Sequence, residues 1–283
     1  MPGEIEALIK LLEDDSATVI TAVDDRLKAL VPKSLPFLRQ AQDSNSARVR
    51  GRARELLRGL SLSASIERLI EMASKPNPDL EEMVLWLGRL QNPGLSFDQV
   101  RLQLDDLAAQ ATTHLEGVAD SQKKIEAFLK FIHKDLGFIG DTVDFHAYVN
   151  NFLSTVIDRR KGMPITLILV YILVGKRLGI HIDAIGSPYR ALAFYRDSSF
   201  ETYIDAFGGG RMWTHHDCVS YLKTSGFKNP DAKHFLRRLS AREITERIAR
   251  NLINFCTNAG REAEGQELRR LAQALVQNRD QDI

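Results

Sequence analysis

The sequence is short of most features that declare a function class. Among its 283 residues there are only two cysteines, Cys218 and Cys256. That is too few for a disulfide scaffold, and it points to a reducing, cytoplasmic setting. Charge of one sign is also lacking: the formal net charge is +1. So balanced a chain gives no footprint for nucleic acid or for an anionic membrane surface. Long apolar runs are missing too. The most apolar stretch, residues 165–174, spans about ten residues against the roughly 20 of a membrane-spanning helix, and Lys176 and Arg177 close it. It reads as a buried helix. Residues 1–15 are acidic and amphipathic with no apolar core after a positive start, so they do not read as a signal peptide. Phosphate loops and dinucleotide fingerprints are absent. Gly208-Gly209-Gly210 has neither the spacing nor the following helix that such a site requires. No cofactor is expected.

What is present suits a globular protein of one or two domains, with 44% hydrophobic and 27% charged residues. Residues 1–60 read as a HEAT-like helical element. Ser16-Ala17 and Val19 recur as Ser46-Ala47 and Val49, and Leu27 and Leu30 recur as Leu57 and Leu60, the serines being placed to cap helices. Four short helices in two antiparallel pairs are expected there, a plain helical bundle being the other reading. The run Arg48, Arg50, Arg52, Arg54, Arg58 reads as a solvated helix face. Residues 61–120 form a helical linker or bundle, broken by Lys75-Pro76-Asn77-Pro78 and by Asn92-Pro93-Gly94. Residues 121–230 form the core and 231–283 a C-terminal helical hairpin turned near Gly260.

Within the core the periodicity changes. Ile125, Phe128, Leu129, Ile132 and Leu136 lie at helical spacing, and Gly137 stops that helix. Pro164, suited to a first helical position, opens a second helix running to Leu178. Strand-like segments follow at 181–186, 189–195 and 200–206, the last two joined by a polar turn at 196–199. The fold class expected is therefore α+β: helix-rich, with a small antiparallel sheet in the core.

In papain-like enzymes a cysteine stands at the N-terminus of a buried helix, a histidine on a facing strand is the base, and an Asp or Asn on the next strand orients that histidine. Several blocks of this chain, in order, are Asn151 with Phe152, Leu153 and Val156; Asp158 through Leu167; Arg177-Leu178-Gly179-Ile180; Gly186-Ser187-Pro188; and Tyr203 through Arg211. Over about 138–222 the chain thereby resembles the transglutaminase-like domain of the bacterial SirB-type proteins, also found in some F-box proteins. The resemblance implies a degenerate papain-like core. It maps the nucleophile onto Pro164, the base onto Arg190 and the orienting acid onto Asp205. Proline is no nucleophile, and arginine stays charged and cannot act as a base. Only Asp205 survives, so no intact catalytic residue is expected. The resemblance leads to an ion pair between Arg190 and Asp205, for which the arginine fork is able to supply two parallel hydrogen bonds; the alternative is that Arg190 points into an open cleft and binds an anionic ligand, with Asp205 elsewhere.

Other residues could carry chemistry. Asn151, Arg159, Thr166 and His146 are candidate cleft residues. Thr166 has a hydroxyl close to the helix start, but no base is visible beside it, and helix capping suits it. Cys256 reads as a small core residue. His215-His216-Asp217-Cys218 has a metal-like composition, yet Thr214 and Asp217 form a capping box that accounts for it; no metal is expected. The remaining histidines, at 114, 133, 181 and 234, are scattered and read as surface or packing residues. The reading is of a non-catalytic interaction or regulatory protein, meeting a protein partner through the helical N-terminal element or the cleft. The alternative is an amide- or peptide-bond hydrolase or transferase whose nucleophile is unidentified.

Overall fold

The structure, a computed structural model, describes residues 2–228 and 235–278. The chain divides into two compact units, Met1–Ile66 and Glu67–Ile283.

In the first unit, helices α1 (Pro2–Leu11), α2 (Ala17–Ala29), α3 (Leu35–Ala41) and the start of α4 (Ala47–Ala73) enclose a core of Ile5, Leu12, Val23, Leu27, Leu38, Val49 and Leu56. Four helices are present as anticipated, but the fourth is not short. It runs through residue 60 without a break because nothing there ends it; the first glycine-free stop comes at Lys75-Pro76-Asn77-Pro78. Ser16 and Ser46 each accept a hydrogen bond from the amide three residues on, at 3.5 and 3.4 Å. The arginine run is not simply a solvated face. Arg52 donates to the carbonyls of Leu12 and Asp14 at 2.5 and 2.6 Å. Arg48 donates to that of Glu13, and Arg50 to those of Ser44 and Asn45. These carbonyls lie just past the ends of α1 and α3, where a helix leaves acceptors unpaired and favours positive charge.

In the second unit, α5 (Leu80–Gln91), α6 (Phe97–Leu115) and α7 (Ser121–Lys130) precede a π-helical turn, Phe131–Asp135. A two-residue strand β1 (Ile139–Gly140) pairs in parallel with β2 (Lys161–Gly162) around a 3-10 turn, Tyr148–Asn151, and α8 (Leu153–Arg159). Then come α9 (Pro164–Arg177) and four antiparallel strands in the order β3 (Ile182–Ile185), β4 (Leu192–Arg196), β5 (Glu201–Asp205), β6 (Arg211–Trp213). The helix-rich α+β architecture is as anticipated. β1, β2 and β6 are additions, each too short to show an alternating pattern.

Helix α9 is apolar on every side, as a helix covered all round must be. It packs on β3 and β4. At its far end Arg177 pairs with Glu81 of α5 at 2.9 Å and Asp105 of α6 at 2.5 Å. The other face of the sheet is covered by α10 (His215–Thr224): Leu192 and Phe194 of β4 cluster with Ile185, Cys218 and Leu222. The last described helices are α11 (Ala241–Asn258) and α12 (Glu262–Gln277), which pack on each other as a hairpin and bury Ile244, Ile248, Leu252 and Cys256 on the first and Leu268, Leu271 and Leu275 on the second. Arg242, wholly buried, reaches from α11 to the carbonyls of Ala73 and Lys75, joining the hairpin to the end of α4.

Candidate functional site

The site is assembled where α9 begins. Met163 is the N-cap and Pro164 the first helical residue. The hydroxyl of Thr166, fully buried, accepts from the Met163 amide at 3.0 Å and donates to the Asn150 carbonyl at 2.8 Å. That hydroxyl satisfies the helix entrance and fixes the preceding turn to it, which leaves it no freedom to attack anything.

Asp205 ends β5 and is 3% exposed. Its Oδ2 accepts from Arg190 Nη1 at 2.6 Å. The expected fork is not formed: Oδ1 accepts instead from the Gly208 amide at 3.0 Å, so the arginine holds one carboxylate oxygen and the backbone turn the other. The glycine is required there, since a Cβ on residue 208 would lie 2.5 Å from Asp205 Oδ2. The guanidinium of Arg190 is also 5.7 Å from the centre of the Phe207 ring.

Behind this pair lies a second polar group that the sequence did not single out. His133, in the π-helical turn, is buried; its Nδ1 lies 2.6 Å from the Phe138 carbonyl, and its Nε2 bonds the Tyr171 hydroxyl from the middle of α9. A carbonyl can only accept, so Nδ1 carries the proton and Nε2 accepts from tyrosine. Burial lowers the His133 pKa from its usual value and raises that of Tyr171 well above the phenol range. Gly210, at φ 77°, lets the turn pass close over the imidazole, where a Cβ would stand 2.5 Å from His133 Cδ2.

Next to the α9 entrance is a cavity of about 810 Å³. Its core wall includes Asn151, Met163, Pro164 and, from the preceding loop, His146. Tyr189 and Ala191, the neighbours of Arg190 in sequence, line it as well. Its opposite wall is α11, with Arg247, Asn251, Asn254, Phe255 and Asn258. Of the residues singled out in sequence, Pro164, Asn151 and His146 therefore meet at the cavity. Arg159 does not line it: it donates to Asn150 Oδ1 at 2.8 Å and pairs with Asp141 at 3.3 Å. Thr166, Arg190 and Asp205 stand behind the lining.

No lining residue offers an activated nucleophile. Thr257 spends its hydroxyl on the Ile253 carbonyl at 2.9 Å, and the ring of His146 packs edge-on against Phe145. Both thiols are free and fully buried. Burial pushes Cys218 up to about 12 and Cys256 up to about 11, so neither is a thiolate near neutrality. The Asp217 carboxylate is taken by the amide and hydroxyl of Thr214 at 2.8 and 2.7 Å, the capping box expected for α10. Among the described residues no group of three or more metal-binding side chains comes together, and no helix is long and apolar enough to cross a membrane. His234 lies outside the described residues.

A family model described as transglutaminase-like superfamily matches residues 98–250, more than half of the chain. The chain belongs to that superfamily. A UPF0162 protein of Vibrio cholerae is 29% identical over 55% of this chain and 57% of its own length. One of Pseudomonas aeruginosa is 29% identical over 67% and 68%. The mouse F-box only protein 21 is 28% identical over 33% of this chain but 16% of its own. The match thus spans little more than half of the Vibrio relative. No solved structure matches the chain significantly. The superfamily match takes in α6 through the first half of α11; the core wall of the cavity and Arg247 lie within it, and Asn251, Asn254, Phe255 and Asn258 lie beyond its end. The asparagines of α11 were missed in the sequence. Their spacing was readable, but nothing along the chain said that this helix would face residues 144–165.

Proposed function

We propose that this chain is a non-catalytic transglutaminase-like protein of the SirB type, acting as an interaction or regulatory module in the cytoplasm. One observation carries the reading: the helix entrance that would present a nucleophile presents Pro164, while the acid behind it, Asp205, is held by Arg190 at 2.6 Å. Pro164, Arg190 and Asp205 are the vestiges of a catalytic set whose charge now serves to hold the turn together. The cleft remains as a surface for a protein partner, with the HEAT-like helices of residues 1–60 as a second such surface. The helical segment 61–120, the core 121–230 and the hairpin 231–283 form its frame. The near-neutral charge speaks against nucleic acid.

The test is turnover by the purified chain. Glutamine-containing peptides are incubated with and without a primary amine, and ammonia release, amine incorporation and backbone cleavage are measured by mass spectrometry. No turnover is expected. A genuine activity that disappears in Cys218→Ser, Cys256→Ser or the alkylated protein would sink the proposal.

A further inference from the structure

We infer that the cavity is a groove for an extended polypeptide segment, held by its main chain along the asparagine row of α11; this deepens the proposed function and rests on it. Asn251, Asn254 and Asn258 follow one another at steps of three and four, so they share one helix face, and all three line the cavity. At a rise of about 1.5 Å per residue the row is about 10 Å long. An extended chain repeats the same edge about every 6.6 Å, so the row meets the main chain at two or three places.

The chemistry of the row suits a peptide. A carboxamide offers donors and an acceptor together, which is what a peptide edge also presents. An anion offers acceptors alone and would leave the asparagine oxygens unmatched. Charge gives it little further help, because the cavity lining has only Asp144 and Arg247, of opposite sign, and Arg247 donates to the Ser187 carbonyl at 3.0 Å. The amides are available. Asn254 and Asn258 are exposed and have no hydrogen-bond partner among the described residues, and the Asn251 amide has only the sulfur of Met163 at 3.5 Å. Across the groove Asn151, 2% exposed, also lines the cavity, and its buried Oδ1 has no hydrogen-bond partner among the described residues. Asparagine favours helix interiors little, and the exposed Asn254 has no hydrogen bond among the described residues to offset that cost.

The rim adds apolar anchors. Tyr189 lines the cavity and is 76% exposed, and Val143, next to the lining residue Asp144, is 93% exposed. Side chains alternating along an extended segment could seat on such anchors while its main chain pairs with the row, a division of labour usual in peptide recognition.

The test pans a phage library of random peptides on the full chain. Enriched sequences are synthesised, and their affinities are measured by fluorescence anisotropy for wild type, for Asn254→Ala/Asn258→Ala, and for the control Arg54→Ser in α4. Alanine is the better helix former, so the double variant keeps the fold, which circular dichroism verifies. The expected result is binding weakened at least tenfold in the double variant and unchanged in the control. N-methylating alternate peptide bonds should weaken binding to wild type and add little further loss in the double variant. No enrichment, or equal affinity for wild type and double variant, overturns the groove. The proposed function is judged separately: cleavage or deamidation of a bound peptide, read by its mass, would overturn the non-catalytic reading while leaving the groove in place.

Discussion

The two walls of the cavity are built on opposite principles. Behind the core wall the polar atoms that once would have served chemistry are committed inside the protein, although Asn151 Oδ1 on the wall itself has no partner among the described residues. Thr166 ties the entrance of α9 to Asn150, and behind it Asp205 is divided between Arg190 and Gly208. On the α11 wall the amides of Asn254 and Asn258 are committed to nothing among the described residues. A wall whose hydrogen bonds are spent internally supplies shape and rigidity. A wall whose hydrogen bonds are unspent supplies recognition. In a catalytic papain-like cleft the core wall would be the reactive one; on the reading proposed above, the capacity to interact lies across the groove.

If that contrast is right, the core wall should be where stability is lost. Thr166→Val keeps the shape but leaves the buried Met163 amide and Asn150 carbonyl without partners. Each of the two orphaned groups costs about 1–3 kcal/mol, so a loss of about 2–6 kcal/mol is expected from urea unfolding. A loss under about 0.5 kcal/mol would mean the entrance is held by something else.

Arg190→Met comes next. Its side chain is 36% exposed while that of Asp205 is 4% exposed, so the pair is neither a surface bridge nor a sealed one. A surface pair contributes about 0–1 kcal/mol, and breaking a buried one costs about 3–5 kcal/mol. Because Asp205 keeps the Gly208 amide, a loss of about 1–3 kcal/mol is expected. A double-mutant cycle with Asp205→Asn should show positive coupling, and its absence would make the contact incidental.

A smaller effect concerns acid. Burial keeps His133 neutral in the fold, with its pKa below the usual value of 6.5 despite Asp205 nearby and the Phe138 carbonyl. The unfolded chain takes up that proton as pH falls through about 6.5, and the folded chain does not until lower pH. The contribution is therefore present above about pH 6.5 and lost as pH falls below it. Urea unfolding at pH 7.5 and pH 5.5 should show a larger acid-side drop for wild type than for His133→Gln. Equal drops would place the titration elsewhere.

How far all this was legible follows from what kind of pattern each element leaves. Pro164, the apolar run after it and the strand–turn–strand beyond are local signals, and the structure has α9 and β3–β5 where they indicate. β1, β2 and β6 have two or three residues each, below the length at which alternation can show. The π-helical turn at Phe131–Asp135 shares its apolar spacing with the α-helix before it, and so it was hidden, along with the burial of His133. Arg48, Arg50 and Arg52 were visible as charge, but their partners are carbonyls at the ends of other helices, and only packing reveals those. Arg190 and Asp205 were paired in advance through the resemblance alone; the single-bond geometry came from the Gly208 turn.

The smallest expected effect is also the one that separates the two walls most cleanly. Asn254→Ala/Asn258→Ala removes no hydrogen bond inside the described protein and uncovers no core, since both side chains are exposed. Alanine improves helix propensity by up to roughly 0.7 kcal/mol per residue, less at the final helical residue, Asn258, where the helix already frays. Stability should therefore stay within about 0.5 kcal/mol of wild type or rise slightly, in the same urea titration that shows Thr166→Val losing several times as much. A destabilisation above about 1 kcal/mol would show that the asparagines are structural after all, and the walls would then be alike. Unchanged stability together with lost peptide binding is the combination that only a recognition wall produces.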